Sequence, residues 1–140
     1  MTPISLEMYN TLTNCNTGYV EIRCVVDGNL IANLFSIMLK RQEETVVSYD
    51  DVLKEDTKVT GFTNRSGVSV HLLISNFSLS YLSIKIKGSV VEPAKDEGPY
   101  KCIVNGLDAK RGFISKSTSL EMLENITGIS KITFCQRKSF

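Results

Sequence analysis

Asp96-Glu97-Gly98-Pro99-Tyr100-Lys101-Cys102 reads D-x-G-x-Y-x-C, and the fold is decided there. An Asp-Gly corner turns the chain into an extended run, and Tyr100 and Cys102, two apart, share the inward face of that run. A tyrosine so placed can donate a hydrogen bond back to the corner it has just left, around Asp96. Far upstream, Tyr19-Val20-Glu21-Ile22-Arg23-Cys24-Val25-Val26 carries a second cysteine in another alternating run. Val20, Ile22, Cys24 and Val26 fall on one face, with Glu21 and Arg23 on the other.

The same period of two recurs along the chain. Ile4 to Tyr9 reads as a first edge strand, and Asn14 to Gly18 and Asp27 to Asn29 as turns. Phe35, Ile37 and Leu39 alternate with Ser36, Met38 and Lys40. Residues 42–60 are polar and acidic, with Val46, Val47 and Val52 in short edge strands. Val68, Val70, Leu72 and Ile74 alternate with Ser69, His71 and Leu73, and Leu82, Ile84 and Ile86 with Ser83, Lys85 and Lys87. Residues 105–112 read as a glycine-bounded hairpin loop and residues 113–123 as the closing strand. No stretch holds a helical period, so the class is all-β, built from two sheets.

Bulk composition narrows the function. The chain has 140 residues, enough for one domain with a sizeable core, and 42% of them are apolar. Sixteen basic against fifteen acidic residues leave a formal charge of +1, which gives no field for nucleic acid. No apolar run has the length of a membrane span, and Met1-Thr2-Pro3 opens no signal peptide. Two readings of that N-terminus remain: a cytosolic protein, or a mature fragment behind an initiator methionine. The even count of four cysteines favours the second. Three pairings of them are open, and sequence alone does not choose.

No G-x-S-x-G elbow, P-loop or G-x-G-x-x-G is present, so the reading is non-enzymatic, with no cofactor. The lone His71 falls on an alternating strand face rather than in a catalytic constellation, and without a C-x-x-C pair zinc is not expected. Glu43-Glu44, Asp50-Asp51 and Glu55-Asp56 lack calcium-loop spacing and read as a solvated rim. Three sequons, at Asn64, Asn76 and Asn125, are acceptors if the chain is secreted.

The corner motif and the strand pattern resemble the immunoglobulin superfamily. The resemblance implies a variable-like Greek-key sandwich over residues 1–124, with residues 125–140 a linker or tail. It implies a disulfide between the sheets from Cys24 to Cys102, closing a loop worth roughly 4 kcal/mol. Cys15 and Cys135 are then left for a second bond, unless Cys135 binds a neighbouring domain or chain. Such domains usually pack a Trp on the bridge; this chain has none, and Ile37 takes that place.

More narrowly, Tyr100-Lys101-Cys102-Ile103-Val104-Asn105-Gly106-Leu107-Asp108 is similar to the Y-K-C-x-x-N-G-x-D pattern of the N-terminal immunoglobulin domains of molluscan fibrinogen-related proteins. Gly112 and the Ser/Thr-rich run 115–119 extend the likeness. The resemblance implies a secreted, multimeric recognition module of invertebrate innate immunity, binding pathogen-surface glycans, glycoproteins or another protein. Asn105, Asp108, Lys110 and Arg111 then lie in the loop used for recognition. Met38 and Ile103 lie outward on the sheet through which variable-type domains pair, and that face suits the alternative of an adhesion or receptor ectodomain. A spacer without a ligand is the remaining alternative.

Overall fold

A computed structural model describes residues 3–10, 18–51, 55–58, 64–75, 78–91, 96 and 98–120. Nine strands account for most of them: β1 Ile4–Asn10, β2 Tyr19–Asp27, β3 Asn33–Arg41, β4 Glu44–Asp50, β5 Glu55–Lys58, β6 Val68–Leu73, β7 Leu79–Lys87, β8 Tyr100–Leu107 and β9 Phe113–Leu120. They form two antiparallel sheets, one in the order β1-β2-β7-β6 and the other β5-β4-β3-β8-β9. The chain crosses between the sheets after β2, β5 and β7, which makes the Greek key.

The core lies where the inward faces meet, and it is aliphatic. Val20, Ile22 and Val26 of β2, Ile37 and Leu39 of β3, and Leu82, Ile84 and Ile86 of β7 are all buried. Cys24 is bonded to Cys102 across this layer, with their Cα atoms 6.1 Å apart, inside the range a disulfide spans without backbone movement. In register, Cys24 lies between Leu6 and Leu82, and Cys102 between Leu39 and Thr118. Ile37, paired with Val104, is fully buried in this core.

Four local readings change. β4 is an inner strand, with β5 at the edge, and Val46 and Val47 are both buried because a register shift opposite Leu39 and Lys40 places two residues inward in succession. Phe35 was expected to face the core with Ile37 and Leu39. A second shift, between Leu34 and Ser36, leaves it without a partner in β8 and exposed. Ile74 lies beyond the end of β6 and is exposed as well. β8 continues through Leu107, so the loop to β9 is only residues 108–112, and Asn105 belongs to the sheet. β9 ends at Leu120; the proposed boundary at residue 124 lies outside the described residues.

Gly106 has a reason the pattern alone did not give. A Cβ there would stand 2.3 Å from the Asn33 carbonyl oxygen and 2.8 Å from Ile31 Cγ2. Only a glycine lets the chain entering β3 pass so close to β8.

Candidate functional site

The two ends of the sandwich differ in chemistry. At the end where β6 and β8 begin, Asp96 is fully buried, and Arg65 in the turn before β6 reaches it with two nitrogens, at 2.6 and 3.0 Å. Arg65 also donates to the Val90 carbonyl at 3.1 Å. The fork geometry suits a carboxylate held away from water. Tyr100 Oη donates to the backbone carbonyl of Asp96. Burial, reinforced by the Asp96 charge, raises the Tyr100 phenol well above the ordinary tyrosine range. Ion pair and phenol thus join the turn before β6 to the start of β8, two residues before Cys102.

The opposite end combines exposed apolar side chains with charged ones, Asp51, Lys110 and Arg111 among them. Among the described residues, every large apolar side chain in the exposed class except Tyr9 lies there: Phe35 opening β3, Leu73 and Ile74 closing β6, Leu79 opening β7 and Phe113 opening β9. Phe113 is 69% exposed. Beside Phe35 and Ile74 a cavity of about 450 Å³ opens between the sheets, a size suited to a small ligand or one large side chain. Its floor includes the buried Val26, Ile31 and Ser80, and its mouth Phe35, Ile74 and Leu107.

The loops that form this end are tied. Gly28 N donates to the Ser78 carbonyl at 2.9 Å, joining the β2–β3 and β6–β7 connections. Asp51 N donates to the Phe35 carbonyl at 2.9 Å, Tyr49 Oη to Asp51 Oδ1 at 3.2 Å, and Ser75 N to Ser80 Oγ at 2.9 Å. The β8–β9 hairpin is held by Asp108, whose Oδ1 accepts from the backbone nitrogens of Lys110 and Gly112, each at 2.9 Å. Arg111 sits at φ 63°, and its nitrogen donates to the Asp108 carbonyl at 3.0 Å. Asp108 is therefore spent on building the turn. Lys110 and Arg111 project from it, exposed.

Of the residues picked out as a recognition loop, only Lys110 and Arg111 present side chains from it. Asn105 stands on the outer face of the five-stranded sheet and donates to Ser36 Oγ at 3.2 Å. On that same face Met38 and Ile103 are direct register partners, flanked by Ser48 and Ser117, and both are half-buried. The cavity escaped the sequence reading and Phe35 was placed inward by it, because a bulge leaves no mark in an alternating pattern.

The outer face of the four-stranded sheet carries an unanticipated layer. The Arg23 guanidinium lies over the rings of Tyr9 and Tyr81, 5.1 and 4.4 Å from their centroids, and Lys85 Nζ over Tyr19 at 4.6 Å. Arg23 also binds Glu21. Under this cover Glu21 is only 2% exposed although it points away from the core, and Ser83 Oγ is buried without a hydrogen-bond partner. Tyr9 donates to Glu7, and that bond raises its phenol above the ordinary value.

The other sequence candidates are dispersed. Asn64 is exposed in the turn before β6, while Asn76, Asn125, Cys15 and Cys135 lie outside the described residues. His71 is on the outer face, its Nε2 3.1 Å from Ser69 Oγ. Glu43 and Glu44 occupy one end of β4 and Asp50 and Asp51 the other, and no metal-holding group of acidic, histidine or cysteine side chains occurs among the described residues.

No family model and no curated protein matches the chain. Solved structures do match, among them murine CRIg, an immunoglobulin-superfamily domain: 15% identity, covering 84% of this chain and 94% of that one, with a TM-score of 0.55. At that identity the likeness speaks for architecture alone. Together with two antiparallel sheets and the Cys24–Cys102 bridge between them, it makes this chain an immunoglobulin-like Greek-key sandwich of the variable type.

Proposed function

We propose that the chain is a secreted, non-enzymatic recognition domain of invertebrate innate immunity. In this reading it binds pathogen-surface glycans or glycoproteins at the loop end of the sandwich, as the likeness to molluscan fibrinogen-related proteins implies. One observation carries the proposal: five exposed large apolar side chains lie at that end, two of them, Phe35 and Ile74, lining a cavity, while the opposite end is closed by a buried ion pair. Apolar surface concentrated on one region of a domain marks a place of contact, and loops on a rigid sandwich commonly carry recognition. The disulfide supports an oxidising, extracellular setting.

The test is binding of the oxidised domain to microbial and parasite surfaces and to a glycan array, alongside Phe35→Ala and Ile74→Asp. Both residues are exposed, so the fold tolerates the changes. Binding that drops about tenfold or more in each variant is expected; binding unchanged by both would place recognition elsewhere. A second reading, adhesion by self-association, rests on the Met38–Ile103 pair on the outer sheet face. Ile103→Arg would abolish a dimer seen by sedimentation, and a wild-type domain monomeric at high concentration would remove that reading.

A further inference from the structure

We infer that the cavity at the loop end receives a lysine or arginine side chain of a protein partner, its stem on the aliphatic floor and its charged head at Asp51. The inference rests on the recognition reading above and narrows the ligand within it.

The lining sets the sign of the occupant. Asp51 is the one charged residue among those that line the cavity. Its backbone nitrogen donates to the Phe35 carbonyl at 2.9 Å, which holds the acidic residue beside the aromatic one at the mouth. Tyr49 Oη donates to Asp51 Oδ1 at 3.2 Å; a carboxylate offers about four lone-pair sites, so one phenol does not exhaust it. Ser75 and Ser80 are turned to each other, Ser75 N donating to Ser80 Oγ and Ser80 Oγ to the Ser75 carbonyl. An aromatic ring and a carboxylate together attract a cation, and an anion would meet a like charge. The surroundings agree in sign. Among the described residues of this end, Asp27, Asp50, Asp51 and Asp108 outnumber Lys110 and Arg111, and neither cation lines the cavity. A basic segment is drawn in and an acidic one repelled.

The floor selects a side chain over a sugar. Val26 and Ile31 are buried at its base, and Leu34, Ile74 and Leu107 contribute to the walls. Lysine and arginine carry a run of methylene groups below the charge, and such stems lie along apolar surface while the head keeps its polar partner. An aminosugar brings an ammonium group without that stem. The site is also pre-formed. Gly28 N donates to the Ser78 carbonyl at 2.9 Å, tying two of the connections that enclose it, so little freedom is lost on binding.

The experiment is selection of a random peptide display library on the immobilised oxidised chain, followed by affinity measurement of an enriched synthetic peptide. Asp51→Asn removes the charge and keeps an oxygen for the Tyr49 phenol. Ala32→Phe narrows the cavity from an exposed lining position, and urea unfolding verifies that both variants fold. Enriched peptides should carry Lys or Arg and bind more weakly as sodium chloride is raised. Their affinity should fall about tenfold or more in each variant. Replacing the basic residue of the peptide by Gln should cost about as much against the native chain and almost nothing further against Asp51→Asn, because both changes remove one contact. Peptides without basic residues, or a Gln replacement whose loss simply adds to that of Asp51→Asn, would overturn the inference; loop-end recognition stands if Phe35→Ala still weakens them. Glycans captured in place of peptides, aminosugars included, would overturn it in the same way. A chain that binds no peptide, glycan or microbial surface would remove both readings.

Discussion

Removing Arg65 tests the buried assembly at the closed end most directly. Arg65→Ala deletes the bidentate contact at 2.6 and 3.0 Å and the bond to the Val90 carbonyl, and it leaves Asp96 charged and fully buried. Leaving a buried charge without its partner costs about 3–5 kcal/mol, a large share of the roughly 5–15 kcal/mol that holds a domain folded. With a urea dependence of about 2 kcal/mol per molar, the unfolding midpoint should fall by roughly 2 M. Arg65→Lys keeps the charge but loses the fork, so its midpoint should lie between the two. The double variant Arg65→Ala/Asp96→Ala removes the stranded carboxylate together with its partner, and it should be more stable than Arg65→Ala alone. The measurement is urea unfolding of the oxidised domain followed by circular dichroism. A loss below about 1 kcal/mol in Arg65→Ala at unchanged slope, or a double variant whose loss equals the sum of the two single losses, would refute the assembly as drawn.

Three further outcomes follow from the same geometry. Replacing Cys24 and Cys102 together by Ala opens a loop of sequence separation 78, and chain entropy sets the loss near 4.5 kcal/mol in chemical denaturation; a loss under 1 kcal/mol would mean that the bridge adds nothing to the packed core. Because burial raises the Tyr100 phenol, the folded domain keeps its proton where the unfolded chain releases it. That contribution is whole below about pH 10 and is lost above it, by up to about 1.4 kcal/mol per pH unit. Tyr100→Phe should be less stable at neutral pH yet show a shallower decline in a melting series above pH 10, and parallel curves would count against the assignment. Gly106→Ala drives a methyl group onto the Asn33 carbonyl oxygen. It should cost about 1–3 kcal/mol in urea unfolding, and a neutral result would show that β3 can retreat from β8.

How far the sequence could be read depended on whether a signal was local. The corner around Asp96, Tyr100 and Cys102 and the alternation in residues 19–26 and 79–87 are short-range patterns, and the structure follows them. Arg65 was read only as the middle of a sequon; its partner lies thirty-one positions on, and nothing near it in the chain announces a buried ion pair. Phe35 and Val46 were misplaced or left open because a single bulged residue reverses the facing of a strand without altering its composition. Glu21 shows a subtler limit. Its outward direction was legible, but its burial comes from Arg23 and the tyrosines on neighbouring strands. The cavity needed three connections and the end of β8 brought together, and no single one of them carries its outline.

The Arg65–Asp96 bolt and the apolar mouth lie a full strand length apart, at opposite poles. A molecule built this way keeps the charges buried for folding away from the side chains left exposed at the other pole. Residues 108–112 close their own turn through Asp108, so a replacement hairpin that supplies its own turn should leave the Arg65–Asp96 pair intact.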